Sequence, residues 1–515
     1  MTNATARGVR RAGRPRSTSW RSTVARGRVD GRAIVAALTG WAAVWVVSGP
    51  ARAEDWPQWR GPARNGISAE ALPLDRWPAE ASPTVAWKAD VGRGHSAVSV
   101  AAGRAYTVGW DGRQDTVWCF DARDGRVIWR RSYPSDGIKQ WPGPRATPTV
   151  HAGRVFTLGL HGHLACFDAR DGRPVWSVQL AESYNPDVDY GMAWSPLVRG
   201  ELLILAAGRR GLALRWADGS AAWGDDGQHG ACASAVPYEH EGRQAVVLVL
   251  TNPGRDNASI VGVDARTGEE LWRYAEWPEK WGAICVDPIV ADGKVFVTSA
   301  ETHLRGARFS IRGNTLVEDW STNKLSVYTG CCVLLDGSLY AVHKSGVLRC
   351  VDWQSGQERW AERGFGEHGT LMAADGKLLV QTHRSGELVV VEATPRAYRE
   401  LRRFRVFDDG AVSFTPPVLC DGRIYCRGYD GQLVCLAPQP LGEPKAPPGA
   451  ELRTWTDNTG RYRVEAAFVG VEGQRVRLRK ASGEEILVPF DRLSPRDRAL
   501  VQARTQRSSP SRDER

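Results

Sequence analysis

The sequence predicts an all-β protein: an eight-bladed β-propeller closed by an N-terminal strand, with a small separate β module after it. Three observations predict it. First, the eight residues Cys119-Phe120-Asp121-Ala122-Arg123-Asp124-Gly125-Arg126, leading into Trp129, return unchanged at Cys166 to Arg173, leading into Trp176. Looser copies run from Asp264 to Trp272 and from Asp352 to Trp360; Arg215 to Trp223 is a worn one, and Trp320 ends a degenerate one. Second, each unit carries an upstream two-residue turn ending in Gly, at Gly103, Gly153, Gly200, Gly242, Gly293, Gly337, Gly376 and Gly422. Third, apolar alternation flanks the turns, as in Arg154-Val155-Phe156-Thr157-Leu158. A unit recurring every roughly 40 to 50 residues marks a repeat architecture.

Each part of the unit has a physical role. The apolar residue before Asp ends one strand. Asp-x-x-x-Gly is a hairpin turn, in which the carboxylate accepts backbone N–H bonds and Gly supplies positive φ. Trp then offers a broad flat surface suited to the gap between two packed sheets. Two hairpins per unit make four short strands, and eight units make eight blades; radial repetition of this kind protects sheet edges.

Ring closure is legible in the same way. The eighth unit, Val418 to Leu436, supplies three strands and then stops in prolines. Pro83-Thr84-Val85-Ala86-Trp87-Lys88 precedes the first full unit and carries its own Trp, so it is expected to complete the last blade. Strands from both ends then fasten a ring that otherwise has only neighbour contacts.

The formal net charge of +10 reflects the ends of the chain: the first 32 residues hold nine Arg and one Asp. Neither charge pattern nor aromatic spacing suggests a nucleic-acid module. Of ten cysteines, Cys119, Cys166, Cys350 and Cys435 share one repeat position and are expected as small buried apolar residues. Cys420 and Cys426 flank a two-residue turn that pairs Cys420 with Arg423, so no disulfide is expected between them. There is no Cys-x-x-Cys metal pair and no Cys-x-x-Cys-His haem attachment.

Residues 1–53 read as an export signal. Arg-rich sequence precedes the apolar run Ala33 to Val47, and Ala51-Arg52-Ala53 offers a small-x-small cleavage site. The mature chain is expected to start near Glu54, in the periplasm or outside the cell, with an uncleaved anchor as the alternative. Asp55-Trp56-Pro57-Gln58-Trp59-Arg60-Gly61-Pro62, then Arg64-Asn65-Gly66 and the repeats, resemble the secreted PQQ-like β-propeller proteins of planctomycete-type bacteria. The resemblance covers roughly residues 54–437. It implies an eight-bladed propeller and kinship of the repeat with quinoprotein alcohol dehydrogenases and the outer-membrane assembly lipoprotein BamB. A fold shared so widely does not assign a function.

Residues 438–450 are proline-rich and read as a stiff linker. Residues 451–503 then form a separate module. Arg461 to Ala466 and Arg475 to Leu478 alternate as half-buried strands do, and Ile486-Leu487-Val488 is a third strand. Ser494-Pro495-Arg496-Asp497 caps a short helix. Trp455-Thr456-Asp457-x-x-Gly460, Glu465-Ala466, Val476-x-Leu478 and Leu493-Ser494 resemble the SLA homology domain. That resemblance implies an SH3-like barrel and binding of peptides or proteins. The tail 504–515 is polar and expected to be disordered.

The residues leading into the innermost strands should ring the channel mouth: His95, Arg145, Trp194, Cys285, Asp287, Cys331, Cys332, His368 and Phe414. Aromatic, His and Arg side chains together suit a ligand funnel. On the module, Arg477, Arg479 and Lys480 form a basic stripe that could meet an acidic peptide. Cys331-Cys332 as a vicinal disulfide and His161-Gly162-His163 as metal ligands are weighed against packing and loop roles, and no metal site or catalytic residue is assigned. The expected function is a non-catalytic envelope scaffold: a protein-binding propeller with a tethered peptide-binding module, and no cofactor. The rival readings are a PQQ- and Ca²⁺-dependent dehydrogenase of alcohols or sugars, which needs a carboxylate and amide cage not found in the sequence, and a BamB-like assembly factor.

Overall fold

The computed structural model describes residues 54–77, 84–138, 141–180, 191–224, 232–252, 256–279, 284–300, 304–438, 452–480 and 485–507. The predicted export signal and nearly all of the proline-rich linker lie outside them. Among the described residues, the strands make nine sheets. The first takes Ser99–Ala101, Arg104–Trp110, Gln114–Asp121 and Val127–Pro134 in chain order. Six more follow the same antiparallel plan, beginning at Thr149–His151, Leu197–Arg199, Val236–His240, Ile289–Ala291, Val333–Leu335 and Thr370–Ala374. An eighth is built from Val418–Cys420, Arg423–Arg427 and Gln432–Ala437, and its fourth strand is Thr84–Asp90. That strand pairs antiparallel with Gln432–Ala437 and sets Trp87 opposite Cys435.

The first hairpin of most units is a two-residue turn with both residues at positive φ, such as Ala102 (50°) and Gly103 (71°). This is the turn whose twist matches that of the flanking strands. The third unit differs from the sequence expectation. Its register pairs Arg199 with Leu202, so the turn is Gly200-Glu201 and Gly opens it instead of closing it.

The repeated Asp and Trp do two linked jobs. Asp121 Oδ1 accepts the Arg123 amide at 2.9 Å, and the Gly125 amide donates to Asp121 O at 3.0 Å, which closes the turn. The Trp of one sheet then lies on the turn of the next. Trp129 Nε1 donates to Ala169 O at 3.0 Å, Trp176 Nε1 to Trp216 O at 3.0 Å and Trp223 Nε1 to Ala265 O at 3.2 Å. Trp87 reaches Ala122 O of the first sheet in the same way, at 3.1 Å. A side chain on Gly172 would come within 2.6 Å of the Trp129 ring, so the turn glycine is required by the neighbouring indole as well as by its φ of 70°. Cys119, Cys166, Cys350 and Cys435 are fully buried, and all ten cysteines are free thiols.

The N-terminal segment meets every one of these eight sheets. Trp56 bridges to Val100 of the first, and Pro57 O accepts the Val150 amide of the second at 2.7 Å. Arg64 donates to Ser195 O (3.0 Å) and Pro196 O before the third, and to Ala235 O (3.0 Å) before the fourth. Trp59 reaches Asp287 before the fifth, and Arg60 donates to Cys332 O before the sixth at 2.6 Å. Ile67–Ser68 adds a parallel strand to Thr370–Ala374 of the seventh. Glu70 accepts the amides of Asp421 (2.7 Å) and Gly422 (2.9 Å) in the eighth.

The ninth sheet is the C-terminal module: Arg453–Thr456, Arg463–Glu472, Arg475–Lys480 and Glu485–Pro489. The first of these strands was not expected. Its Trp455 is central to a core with Ala466, Val476, Leu478, Leu493 and Val501. Ser494 caps the helix Pro495–Arg507 through the Asp497 amide at 3.2 Å, as its sequence signals. The helix runs past residue 503 into what the sequence suggested was a disordered tail. Buried Asp497 ties the helix to the first strand, accepting Arg453 Nη2 (2.5 Å) and the Thr456 amide (2.8 Å).

Candidate functional site

A cavity of about 390 Å³ opens among the lead-in segments of the eight sheets. Counting back eight positions from the turn residues Gly103, Gly153, Glu201, Gly242, Gly293, Gly337, Gly376 and Gly422 gives His95, Arg145, Ala193, Ser234, Cys285, Thr329, His368 and Phe414. Every one of them lines this cavity. The repeat thus projects one side chain per unit into a common space. Trp59 and Trp141 also line it.

Of the nine funnel residues expected from sequence, the cavity is lined by His95, Arg145, Cys285, Asp287, His368 and Phe414. Trp194, Cys331 and Cys332 are buried outside the lining. They miss the eight-position offset, which falls on Ala193 and Thr329 in their units. The other nine lining residues were not expected from sequence, Ser234, Thr329 and Glu367 among them. The constant offset from the hairpin turn was the signal that would have found Ser234 and Thr329.

One wall is aromatic. Phe414 lies 4.7 Å from the His95 ring, 5.0 Å from Trp141 and 4.9 Å from His368, centroid to centroid. Tyr328 sits 4.8 Å from His368, and His383 sits 4.4 Å from it. The Thr329 hydroxyl bonds His368 Nδ1 at 2.6 Å. Burial holds these imidazoles neutral: His368 is lowered to about 4, His383 to about 3, and His95 well below its ordinary value, with Arg145 adding to the effect on His95.

A belt of hydrogen bonds passes from one lead-in segment to the next along the cavity. The Ala97 amide donates to Thr147 Oγ1 (2.9 Å), Thr147 to Ser195 Oγ (2.9 Å), Ser195 to Ser234 Oγ (3.0 Å) and Ser234 to Asp287 Oδ1 (2.7 Å). The other oxygen of Asp287 accepts a hydrogen bond from Trp59 Nε1 at 2.7 Å. Its carboxyl is raised by burial, against the opposing charges of Arg60 and Arg64 and the hydrogen bond from Ser234. Cys232 and Cys285 meet thiol to thiol, and this contact lowers Cys232 against the effect of burial.

The remaining expected residues separate. His161 bonds the Asp136 carbonyl at 2.8 Å while His163 lies 4.3 Å from the Tyr133 ring, so the two histidines serve different neighbours. On the module, period-two alternation puts Lys480 on the face of Val476 and Leu478, opposite that of Arg477, and both charged residues are half-buried. They do not form one stripe. Arg479 follows Leu478 in the same strand.

Residues 78–229 and 310–399 match a family model described as outer membrane protein assembly factor BamB, of the PQQ repeat type. Residues 443–509 match SLA1 homology domain 1. Over 69 residues the chain is 41% identical to the actin cytoskeleton-regulatory complex protein sla1 of Schizosaccharomyces pombe. Over 65 residues it is 35% identical to the corresponding SLA1 of Mycosarcoma maydis. Each match takes in 13% of this chain and 5% of the relative, so the likeness concerns the module alone. Among solved structures, BamB from Moraxella catarrhalis superposes with a TM-score of 0.51 at 15% identity, covering 69% of this chain and 99% of that one. Quinohemoprotein alcohol dehydrogenase from Comamonas testosteroni gives 0.58 at 15% identity, covering 79% and 83%. At such identity the likeness is one of fold. The chain carries a β-propeller of PQQ-like repeats and a C-terminal SLA1 homology domain.

Proposed function

We propose that this protein is an exported binding scaffold: an eight-bladed propeller, closed by Thr84–Asp90, whose funnel takes a ligand or a partner's side chains, with a tethered module that binds peptide. The observation that carries the reading is the cavity's composition. One side chain per repeat converges on about 390 Å³ of space, within the usual size of a ligand pocket, and the lining is mainly aromatic, imidazole, thiol and hydroxyl. The module also carries exposed apolar side chains, Tyr462 at 77% exposure and Leu487 at 46%. Two sites on one tether bind more tightly together than singly when both can engage. Export rests on the Arg-rich and apolar sequence of residues 1–53.

The rival reading requires PQQ held by Ca²⁺, a hard ion that takes six to eight oxygen ligands. The described carboxylates lining the cavity are Asp287 and Glu367. Asp287 already commits both oxygens, to Trp59 and Ser234. This donor set does not fit such a cage.

The test is selection of peptides from a displayed library by the full chain, repeated with the Trp141→Ala/Phe414→Ala double variant and with residues 451–515 removed. Two peptide classes are expected, one lost with each change. The reading fails if neither change alters the selected set. It also fails if PQQ with Ca²⁺ binds below about 1 μM, roughly 8 kcal/mol, and supports dye-linked alcohol oxidation.

A further inference from the structure

We propose that Glu367, His368 and His383 form a binding site for one divalent transition-metal ion of the zinc class at the edge of the cavity. Their ligand atoms all lie within 4.8 Å of one another. His368 presents Nε2 to the Glu367 carboxylate at 3.7 Å, because its Nδ1 is taken by the Thr329 hydroxyl. A bond to the far ring nitrogen is how metal-binding imidazoles are commonly oriented. His383 supplies the independent observation. It is 1% exposed, and its Nε2 is buried with no hydrogen-bond partner. A buried polar atom left without a partner is costly, and a metal ion would satisfy it.

The chemistry selects the class of ion. Two imidazoles and one carboxylate suit zinc and its first-row neighbours, whereas Ca²⁺ and Mg²⁺ prefer oxygen ligands alone. Two side chains differ in their effect on a cation: Glu367 favours it, and Arg384, whose charge is felt by both histidines, opposes it. Three protein ligands leave a position open, as in catalytic rather than structural zinc sites. His368 and Glu367 both line the cavity, so an anion or water entering from there can complete the sphere. The site spans two neighbouring sheet connections: Glu367 and His368 precede Thr370–Ala374, and His383 follows Lys377–Gln381. It does not depend on the binding function proposed above.

The test uses the full chain stripped with EDTA. Zn²⁺ is titrated in competition with a chromophoric chelator, and Co²⁺ is followed by its visible absorption. One equivalent is expected to bind at micromolar affinity or tighter, undisturbed by millimolar Ca²⁺ or Mg²⁺. His383→Gln and Glu367→Gln should each weaken binding at least tenfold and change the Co²⁺ spectrum. Glu367 is exposed, so its variant is expected to keep the wild-type circular dichroism and melting curve. No stoichiometric binding overturns the proposal, as does binding untouched by both variants. Loss of the metal on Cys232→Ser or Cys285→Ser instead, with a sulfur-to-cobalt charge-transfer band, would move the site to the thiol pair and equally overturn it.

Discussion

Asp115 has its side chain wholly buried within the strand Gln114–Asp121. Burial pushes its carboxyl up to about 6, against the weaker pulls of Ser135, His161 and Tyr133. The unfolded value is about 3.9. Between these values the native state holds a proton that the unfolded chain has released. Stability from this group is therefore full below about pH 4, falls as pH rises to about 6, and is flat above. Asp115→Asn copies the neutral form. Its advantage over wild type should be near zero at pH 4 and reach about 1–3 kcal/mol at pH 7, read by urea unfolding across that range. An advantage that does not change with pH would refute this. Arg64 makes the opposite case. Its guanidinium is buried, lowered to about 9, and satisfies the carbonyls of Ser195, Pro196 and Ala235. Arg64→Ala strands these acceptors and leaves Asp287 with one buried cation fewer. It is expected to cost about 3–5 kcal/mol by chemical denaturation.

At the scale of the element, the tryptophan-on-turn contact is the joint between sheets. A side chain on Gly268 would meet the Trp223 ring at 2.5 Å, whereas one on Gly293 meets nothing within 4 Å. Both glycines have positive φ, 70° and 69°. The pair separates backbone strain from steric clash. Gly293→Ala should cost about 1–2 kcal/mol, the strain alone. Gly268→Ala should add about 1–3 kcal/mol of overpacking. Equal losses in thermal unfolding would mean that the indole contact carries no part of the joint. Trp223→Phe, which removes only the bond to Ala265 O and part of the ring, should fall between them.

At the scale of the whole molecule, the segment from Glu54 to Arg76 reaches all eight sheets of the repeat region through Trp56, Pro57, Trp59, Arg60, Arg64, Ile67 and Glu70. Such a hub adds long-range contacts to an architecture otherwise held together by neighbours. Removing residues 54–76 is expected to abolish cooperative folding of the repeats. Removing residues 451–515 should leave their melting transition in place, because the module has its own core around Trp455. Calorimetry of the two truncations decides this. Loss of the main transition in the second would show that repeats and module fold as one unit.

Local rules made the repeats readable. A two-residue turn with Gly, an Asp that closes a hairpin and a Trp at constant offset are dictated by φ, hydrogen bonding and area within one unit, so the strands and even the pairing of Thr84–Asp90 could be anticipated. The cavity was half legible. His95, Arg145, Cys285, Asp287, His368 and Phe414 came from locating the lead-in segments, while Trp194, Cys331 and Cys332 were misplaced because a shift of a few residues moves a side chain from the cavity into the core. Lys480 was misassigned for a related reason, since strand alternation and not sequence proximity decides which charges share a face. Other features needed the tertiary structure outright. Trp59 and Asp287 are 228 positions apart, as are Arg60 and Cys332 by 272. Glu367, His368 and His383 form a cluster only because two connections of one sheet are folded side by side. No local pattern encodes such meetings; they arise when the sheets assemble around a common centre.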